Sequence, residues 1–329
     1  MLLSFIVPVY NRPEEVEELL ASLQQQGVSN FEVIIVEDGS TRSSKEVVSH
    51  YKEHLHIHYI ETPNGGPSKA RNVGALAAEG QWLVFLDSDV VLPEGYVLAL
   101  QDGIARSNAV LVGGPDRAAD DFTALQKGIN YAMTSPLTTG GIRGGKKHKH
   151  YCPRTFNMGV ERGMFEQLKG FDEAMRFGED VDFSMRVYEA GGAVALIPNA
   201  WVYHKRRTDF RKFFKQVYNS GAARIDLTQR HEGSLKLIHL LPSFATVLFV
   251  LFVLVGFWHP LLWVLLLLFA LLVGIDSFYR TRSYSASLYA IPATFIQVTG
   301  YGSGLIIAAW QSLIHKKRGY NAFKDSFYE

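Results

Sequence analysis

The chain has 329 residues, 47% hydrophobic and 20% charged, with a formal net charge of +1. That length holds one large or two ordinary domains, and the near-neutral balance argues against a general nucleic-acid binder. Cys152 is the only cysteine, so no disulfide can form within the chain and the redox compartment stays open.

The first apolar run, Met1 to Val9, has no basic stretch before it and leads into acidic, helix-like sequence. It reads as a strand over residues 2–9 and not as a secretory signal. Pro13 suits the first turn of a helix, and Glu14, Glu15, Glu17 and Glu18 favour its N-terminus. Val16, Leu19, Leu20 and Leu23 share one face of that helix. Residues 31–36 form a second buried strand ending in Glu37-Asp38-Gly39-Ser40, and residues 57–60 a third. The segment Thr62-Pro63-Asn64-Gly65-Gly66-Pro67 then turns into a helix carrying Lys69, Arg71 and Asn72. Trp82 to Leu86 is five apolar residues in a row, the signature of a strand buried on both faces, and 110–113 is another strand. Strand alternating with helix over 1–116 predicts an α/β domain with a mainly parallel sheet, flanked by helices in the Rossmann manner.

In a parallel sheet the strand ends lie on one edge, where open α/β sheets bind ligands. Three polar ends meet there: Pro8-Val9-Tyr10-Asn11, Glu37-Asp38-Gly39-Ser40 and Asp87-Ser88-Asp89. On a continued strand, Asp87 and Asp89 point to the same face. Two such carboxylates repel unless a cation sits between them, and Mg²⁺ or Mn²⁺ fits that role. The competing reading is a solvated turn. Asp38, at the end of the second strand, is placed to meet a nucleobase or ribose. Lys69 and Arg71, behind a Gly-Gly-Pro turn, add cations to a helix N-terminus and suit a diphosphate; otherwise they form an exposed helix face.

Residues 117–204 form the second half of this domain. The Gly-rich, basic stretch 137–150 is expected to be a mobile loop, either a lid or clamp over an acceptor phosphate or a linker. Asn157 leads an apolar strand. Glu179 and Asp180 follow Gly178 at a helix start, where acids commonly cap or, near an acceptor hydroxyl, serve as general base. His204 ends the apolar strand Ala200-Trp201-Val202-Tyr203. Residues 205–236 hold nine Lys/Arg against three acids, a balance of +6. Within them Phe210, Phe213, Phe214 and Val217 share a helical face, with Arg211, Lys212 and Lys215 outside it. This suits an interface helix on an anionic membrane surface or a helix packed on its own domain.

Residues 235–329 form a membrane region and tail. Three apolar runs, 237–258, 261–278 and 288–314, are long enough to span a bilayer. The third, broken by Gln297, Gly300, Gly302 and Gly304, is either a crossing or a re-entrant or interfacial segment, with a cytosolic tail preferred. The basic 205–236 stretch places residues 1–204 in the cytoplasm, at the inner membrane, in contact with its lipids.

Five motifs stand in order and spacing: Val7-Pro8-Val9-Tyr10-Asn11, Glu37-Asp38-Gly39-Ser40, Gly66-Pro67-Ser68-Lys69-Ala70-Arg71-Asn72, Asp87-Ser88-Asp89 and Gly178-Glu179-Asp180. Together they resemble the family-2 glycosyltransferases with the GT-A fold, over residues 1 to about 235. The resemblance implies that Pro8, Tyr10 and Asp38 contact the nucleoside of a nucleotide diphosphate-sugar donor. It implies that Lys69 and Arg71 line the diphosphate, that Asp87 and Asp89 hold donor and metal, and that Asn157 lies near the sugar. Asp180 is then the base, with Glu179 assisting or binding acceptor, and His204 the third metal ligand. Direct attack would invert the anomeric centre. Processive members carry Gln-x-x-Arg-Trp where this chain has Gln216-Val217-Tyr218-Asn219. That departure favours transfer of one sugar to a lipid-linked or glycan acceptor over a polysaccharide synthase. A non-catalytic membrane binding module is the third reading.

Overall fold

The computed structural model describes residues 1–117, 122–139 and 151–315, so the expected 137–150 loop lies almost wholly outside the described residues. The described residues divide into two compact units, one of residues 1–117 and 151–205, the other of 122–139 and 206–315.

The first unit is the α/β domain. In chain order it has β1 (Leu3–Val9), α1 (Pro13–Gln24), β2 (Phe31–Asp38), α2 (Lys45–Tyr51), β3 (Ile57–Thr62), α3 (Pro67–Ala77), β4 (Trp82–Leu86), β5 (Val90–Val91), α4 (Tyr96–Ser107), β6 (Leu111–Gly113) and β7 (Asp116–Arg117). After residues 122–139, which belong to the second unit as α5 (Ala124–Thr134) and α6 (Pro136–Thr139), it resumes. It then has β8 (Asn157–Glu161), α7 (Arg162–Gln167), α8 (Glu179–Glu189), β9 (Val194–Leu196) and β10 (Val202–His204). A seven-stranded sheet runs in the order β3-β2-β1-β4-β8-β6-β9. All its pairings are parallel except those of β8 with β4 and β6.

β1, β2 and β4, at the centre of the sheet, are buried on both faces, as their apolar runs require. Alternate residues divide between two cores. Phe5, Val7, Val33, Ile35, Val84 and Leu86 meet the apolar faces of α1 and α4. Ile6, Ile34, Val36, Leu83 and Phe85 meet α3, α7 and α8 on the other side. This fixes the register of each strand, because a slip of one residue would exchange the two sets.

A second, three-stranded sheet, β5-β10-β7, joins two-residue strands to β10. Its register sets His204 opposite Val90 and Tyr203 opposite Val91. A strand from the end of the domain is thereby laid beside the turn that follows β4.

The second unit is helical. Besides α5 and α6 it contains α9 (Phe210–Arg230), α10 (Leu237–Gly256), α11 (Leu261–Thr281) and α12 (Tyr284–His315). The last three are long and apolar enough to cross a membrane. α12 is one continuous helix of 32 residues, with Pro292 inside it. At 1.5 Å per residue it is about 48 Å long, more than a hydrocarbon core needs.

Two sequence readings are resolved in this unit. The apolar face of α9 is not open: Phe213 and Val217 are buried with Ile129, Ala132 and Met133 of α5 and Ala293 of α12. Of the two readings of this helix, packing within its own unit describes that face, while Arg211 and Lys212 stay exposed. The glycines of α12, read as interruptions of a span, are contact points. A Cβ on Gly304 would meet the carbonyl of Tyr218, and one on Gly221 of α9 would meet that of Tyr301. One on Gly302 would meet Thr246 and Pro242 of α10. Small residues let helix backbones approach this closely.

Candidate active site

The site is built at the C-terminal edge of the large sheet. β4 ends at Leu86, and Asp87 to Asp89 form a turn closed by the Val90 amide donating to the Asp87 carbonyl at 3.3 Å. Asp87 and Asp89 therefore do not converge through strand alternation, as their i, i+2 spacing suggests, but because the chain reverses between them. The reversal feeds β5, and β5 pairs with β10. Asp87, Asp89 and His204 each offer a ligand atom, all within 4.8 Å of one another.

His204 Nε2 lies 3.3 Å from Asp89 Oδ1. Two neighbouring ligands of an octahedral ion with bonds of about 2.1 Å stand about 3 Å apart. The ring is held by Phe156, whose centroid is 4.6 Å away. Its Nδ1 is buried with no hydrogen-bond partner among the described residues. Two carboxylates and an imidazole fit Mn²⁺ or Mg²⁺. Arg12 Nη1 donates to Asp89 Oδ2 at 2.9 Å. Burial opposes the Arg12 charge, but Asp89, Glu15 and Asp87 together hold the guanidinium above its ordinary pKa.

The second set of acids joins the first through Arg71. This residue is 4% exposed. Its Nη2 donates to Asp87 Oδ1 at 2.7 Å and its Nη1 to Glu179 Oε1 at 3.1 Å. Arg71 is thus a brace between the two acidic motifs, where the sequence suggested only a diphosphate contact. Burial pushes the Glu179 carboxyl up to about 7; Asp180 adds to the shift and Arg71 opposes it. Asp180 Oδ2 accepts from Arg154 Nη1 at 3.0 Å, and its Oδ1 from the Val181 amide at 2.7 Å. Gly178 precedes them at φ 80°, a left-handed conformation that costs a residue with a Cβ more than glycine.

The nucleoside end is a set of braced loops. Asp38, 1% exposed, accepts from the Gly65 amide at 2.7 Å and the Gly66 amide at 2.9 Å. Asp38 thereby takes up two amides of the Gly-Gly-Pro turn. Pro8 and Tyr10 are half-buried at the end of β1. Lys69 is exposed on the first turn of α3. Asn157 is occupied elsewhere: its Oδ1 accepts from the Tyr96 hydroxyl at 2.6 Å and its Nδ2 donates to the Ala200 carbonyl at 2.8 Å. At 1% exposure it pins β8 to α4 and to the approach to β10.

Arg12, Glu37, Asn11 and Arg154 carry interactions that motif reading passes over. The Glu37 carboxylate accepts from the Ser44 amide at 2.8 Å and the Tyr59 hydroxyl at 3.1 Å. Asn11, at φ 56°, has its side-chain oxygen accept from the Thr41 and Arg42 amides, at 2.8 and 2.9 Å. The available signal was position: Asn11, Arg12 and Glu37 all stand where a strand gives way to a loop on the ligand-binding edge.

The wider relationships agree with this arrangement. The model of Glycosyl transferase family 2 matches residues 4–168. The chain is 31% identical over 205 residues to the uncharacterized glycosyltransferase EpsJ of Bacillus subtilis, covering 60% of this chain and 58% of that one. It is 34% identical over 192 residues to an uncharacterized glycosyltransferase of Haemophilus influenzae, covering 57% and 62%. The chain thus spans about three fifths of the length of those relatives. Among solved structures it is similar in fold to the mannosyltransferase PcManGT from Pyrobaculum calidifontis in complex with GDP-Man and Mn²⁺. There the TM-score is 0.59 at 19% identity, over 96% of this chain and 88% of that one. S. aureus TarS 1–349 in complex with UDP gives 0.51 at 18% identity, over 96% and 92%. The family match extends over half of the sequence and takes in β1 to α7, so the chain belongs to glycosyl transferase family 2.

Proposed function

We propose that this protein is a membrane-anchored, metal-dependent, inverting glycosyltransferase. It moves one sugar from a nucleotide diphosphate-sugar to an acceptor hydroxyl at the cytoplasmic face of the inner membrane, with a lipid-linked acceptor favoured. The observation that carries this reading is the Arg71 bridge, 2.7 Å to Asp87 and 3.1 Å to Glu179. It gathers acids from distant parts of the sequence into one cluster, as attack on a sugar held at the sheet edge requires.

Asp87, Asp89 and His204 would hold a divalent cation. When bound, it stabilises negative charge on the departing diphosphate. Pro8, Tyr10 and the loops braced by Asp38 and Glu37 form the nucleoside end, and Lys69 adds an exposed positive charge near the diphosphate. Asp180 takes the proton of the acceptor hydroxyl as its oxygen bonds to the anomeric carbon. The bond from that carbon to the diphosphate oxygen breaks, and its electron pair leaves with the diphosphate. Arg154 keeps the Asp180 carboxylate oriented. Glu179, held up to about 7, is poised to share a proton with the acceptor. The nucleotide sugars named for the fold neighbours, GDP-Man and UDP-GlcNAc, make both purine and pyrimidine donors worth testing. Helices α10 to α12 supply the anchor, and the basic 205–236 stretch orients it.

The test is turnover of labelled nucleotide sugars by the full chain with membrane lipid extract, with and without Mn²⁺. Single-sugar products that need Mn²⁺ and vanish in Asp89→Ala and Asp180→Asn support the reading. Long products would favour a processive synthase, and no transfer from any donor would favour a binding module.

A further inference from the structure

A second cluster with ligand chemistry lies at the opposite, N-terminal edge of the same sheet. Glu32 is the second residue of β2, while His56 and His58 bracket the start of β3. Each offers a ligand atom, all within 4.8 Å of one another. The parallel register pairs Ile34 with His58. Glu32 lies two residues before Ile34 and His56 two before His58, so all three share one face of neighbouring strands.

Glu32 is 1% exposed. Its two oxygens differ in their surroundings. Oε1 accepts from the Ser4 hydroxyl at 2.6 Å, the Glu79 amide at 2.6 Å and the Gly80 amide at 3.2 Å. Oε2 is buried and accepts no hydrogen bond among the described residues. It faces His58 Nε2 at 3.5 Å, an atom that is likewise buried with no hydrogen-bond partner among those residues. The His56 ring packs edge-on against that of His58, with centroids 4.7 Å apart and planes at 74°. A buried carboxylate oxygen and a buried imidazole nitrogen are each costly to leave unsatisfied. Here the two face one another at ion-pair distance beside a third donor, without a hydrogen bond between them.

We propose that Glu32, His56 and His58 form a second divalent-cation site, selective for a borderline ion such as Zn²⁺. Two imidazoles and one carboxylate match zinc better than the hard, oxygen-preferring ions expected at the other edge. The three donors on Oε1 fix the carboxylate so that Oε2 points at the ion, the outer-shell support that metal ligands generally have. The site is remote from the chemistry. Asp38 lies six steps along β2 from Glu32, about 20 Å at 3.3 Å per residue. The ion would be structural. It would fasten β3, the outermost strand of the sheet, to β2 and, through Oε1, to the turn after α3.

The test is zinc per chain by equilibrium dialysis of the purified full chain in detergent, stripped of metal beforehand. Adding His56→Ala or His58→Ala to wild type, and separately to Asp89→Asn, should lower bound zinc by one per chain. At limiting zinc it should weaken binding at least roughly tenfold. Zinc should raise the melting temperature of Asp89→Asn and not that of the same protein with His58→Ala. His56 is exposed, so its replacement leaves folding intact, and Glu32→Gln retains the Oε1 acceptor as a further check. Unchanged zinc stoichiometry in the His56→Ala and His58→Ala proteins overturns the proposal, as does a wild-type chain that binds no zinc. A failed transfer assay leaves this result untouched, since no residue of this cluster enters the reaction.

Discussion

The two edges of one sheet place carboxylates beside histidine in different ways. At the C-terminal edge the acids are matched with arginines: Arg12 with Asp89, Arg71 with Asp87 and Glu179, and Arg154 with Asp180. At the N-terminal edge, Glu32 has His58 as its ion-pair partner among the described residues. The first arrangement sets a guanidinium beside each of these acids at close quarters and suits a site that must accept an anionic donor. The second gathers nitrogen and oxygen donors with no arginine among them and suits a resident ion. The same pair of residue types therefore means different things according to the cations around it.

That contrast is broken most severely at the active edge. Asp180→Asn removes the proposed base while keeping its size and one of its two acceptor oxygens, so transfer should fall by about 10²- to 10⁴-fold. A thermal melt should show a modest decrease from the lost ion pair with Arg154. A drop within tenfold would move the base elsewhere, with Glu179 the next candidate. Arg71→Met tests the brace itself. Removing one partner of a buried ionic network leaves its charges uncompensated, at a cost of roughly 3–5 kcal/mol. Both chemical-denaturation stability and turnover should fall. If stability holds, the bridge contributes no more than an exposed salt bridge.

Much of this was legible in the chain, and the reasons for the rest are physical. Apolar runs with β-branched residues marked β1, β2 and β4, because a doubly buried strand has little room for a polar side chain, while β3, at the sheet's edge and half-buried, showed more weakly. Motif acids at strand ends marked the edge. What escaped was how long-range pairing brings these residues together. Val90–Val91 and Asp116–Arg117 are two-residue strands with no periodicity to detect, yet the first sets His204 beside Asp89. The family resemblance alone places Asn157 near the sugar; only the positions of Tyr96 and Ala200 show which groups its side chain bonds. The role of α5 was hidden for the same reason. Its apolar stripe is ordinary, and its partners α9 and α12 come much later in the chain.

The helical unit offers a milder perturbation. Gly304→Leu forces a side chain against the Tyr218 carbonyl, and overpacking of this kind costs about 1–3 kcal/mol. The melt of the full chain in detergent should shift down, while the metal affinity of the active edge stays as it was. Loss of metal binding in this variant would show that the helical unit supports the site directly.

The smallest effect is the sharpest test of how the active edge handles charge. Glu179 has an ordinary carboxyl value of 4.5 unfolded and about 7 folded, burial being the main cause. Between those values the folded state binds more protons than the unfolded one, so stability falls as pH rises from about 4.5 to 7 and then levels. The amide introduced by Glu179→Gln cannot ionise, and the slope goes with the carboxyl. The stability of this variant relative to wild type should therefore increase between about pH 5 and pH 8, whatever its absolute offset from the lost contact with Arg71. Urea denaturation at the two pH values reads the difference directly. Equal offsets at both would mean that Arg71 holds Glu179 ionised throughout, and that the proton needed near neutrality is carried by Asp180 alone.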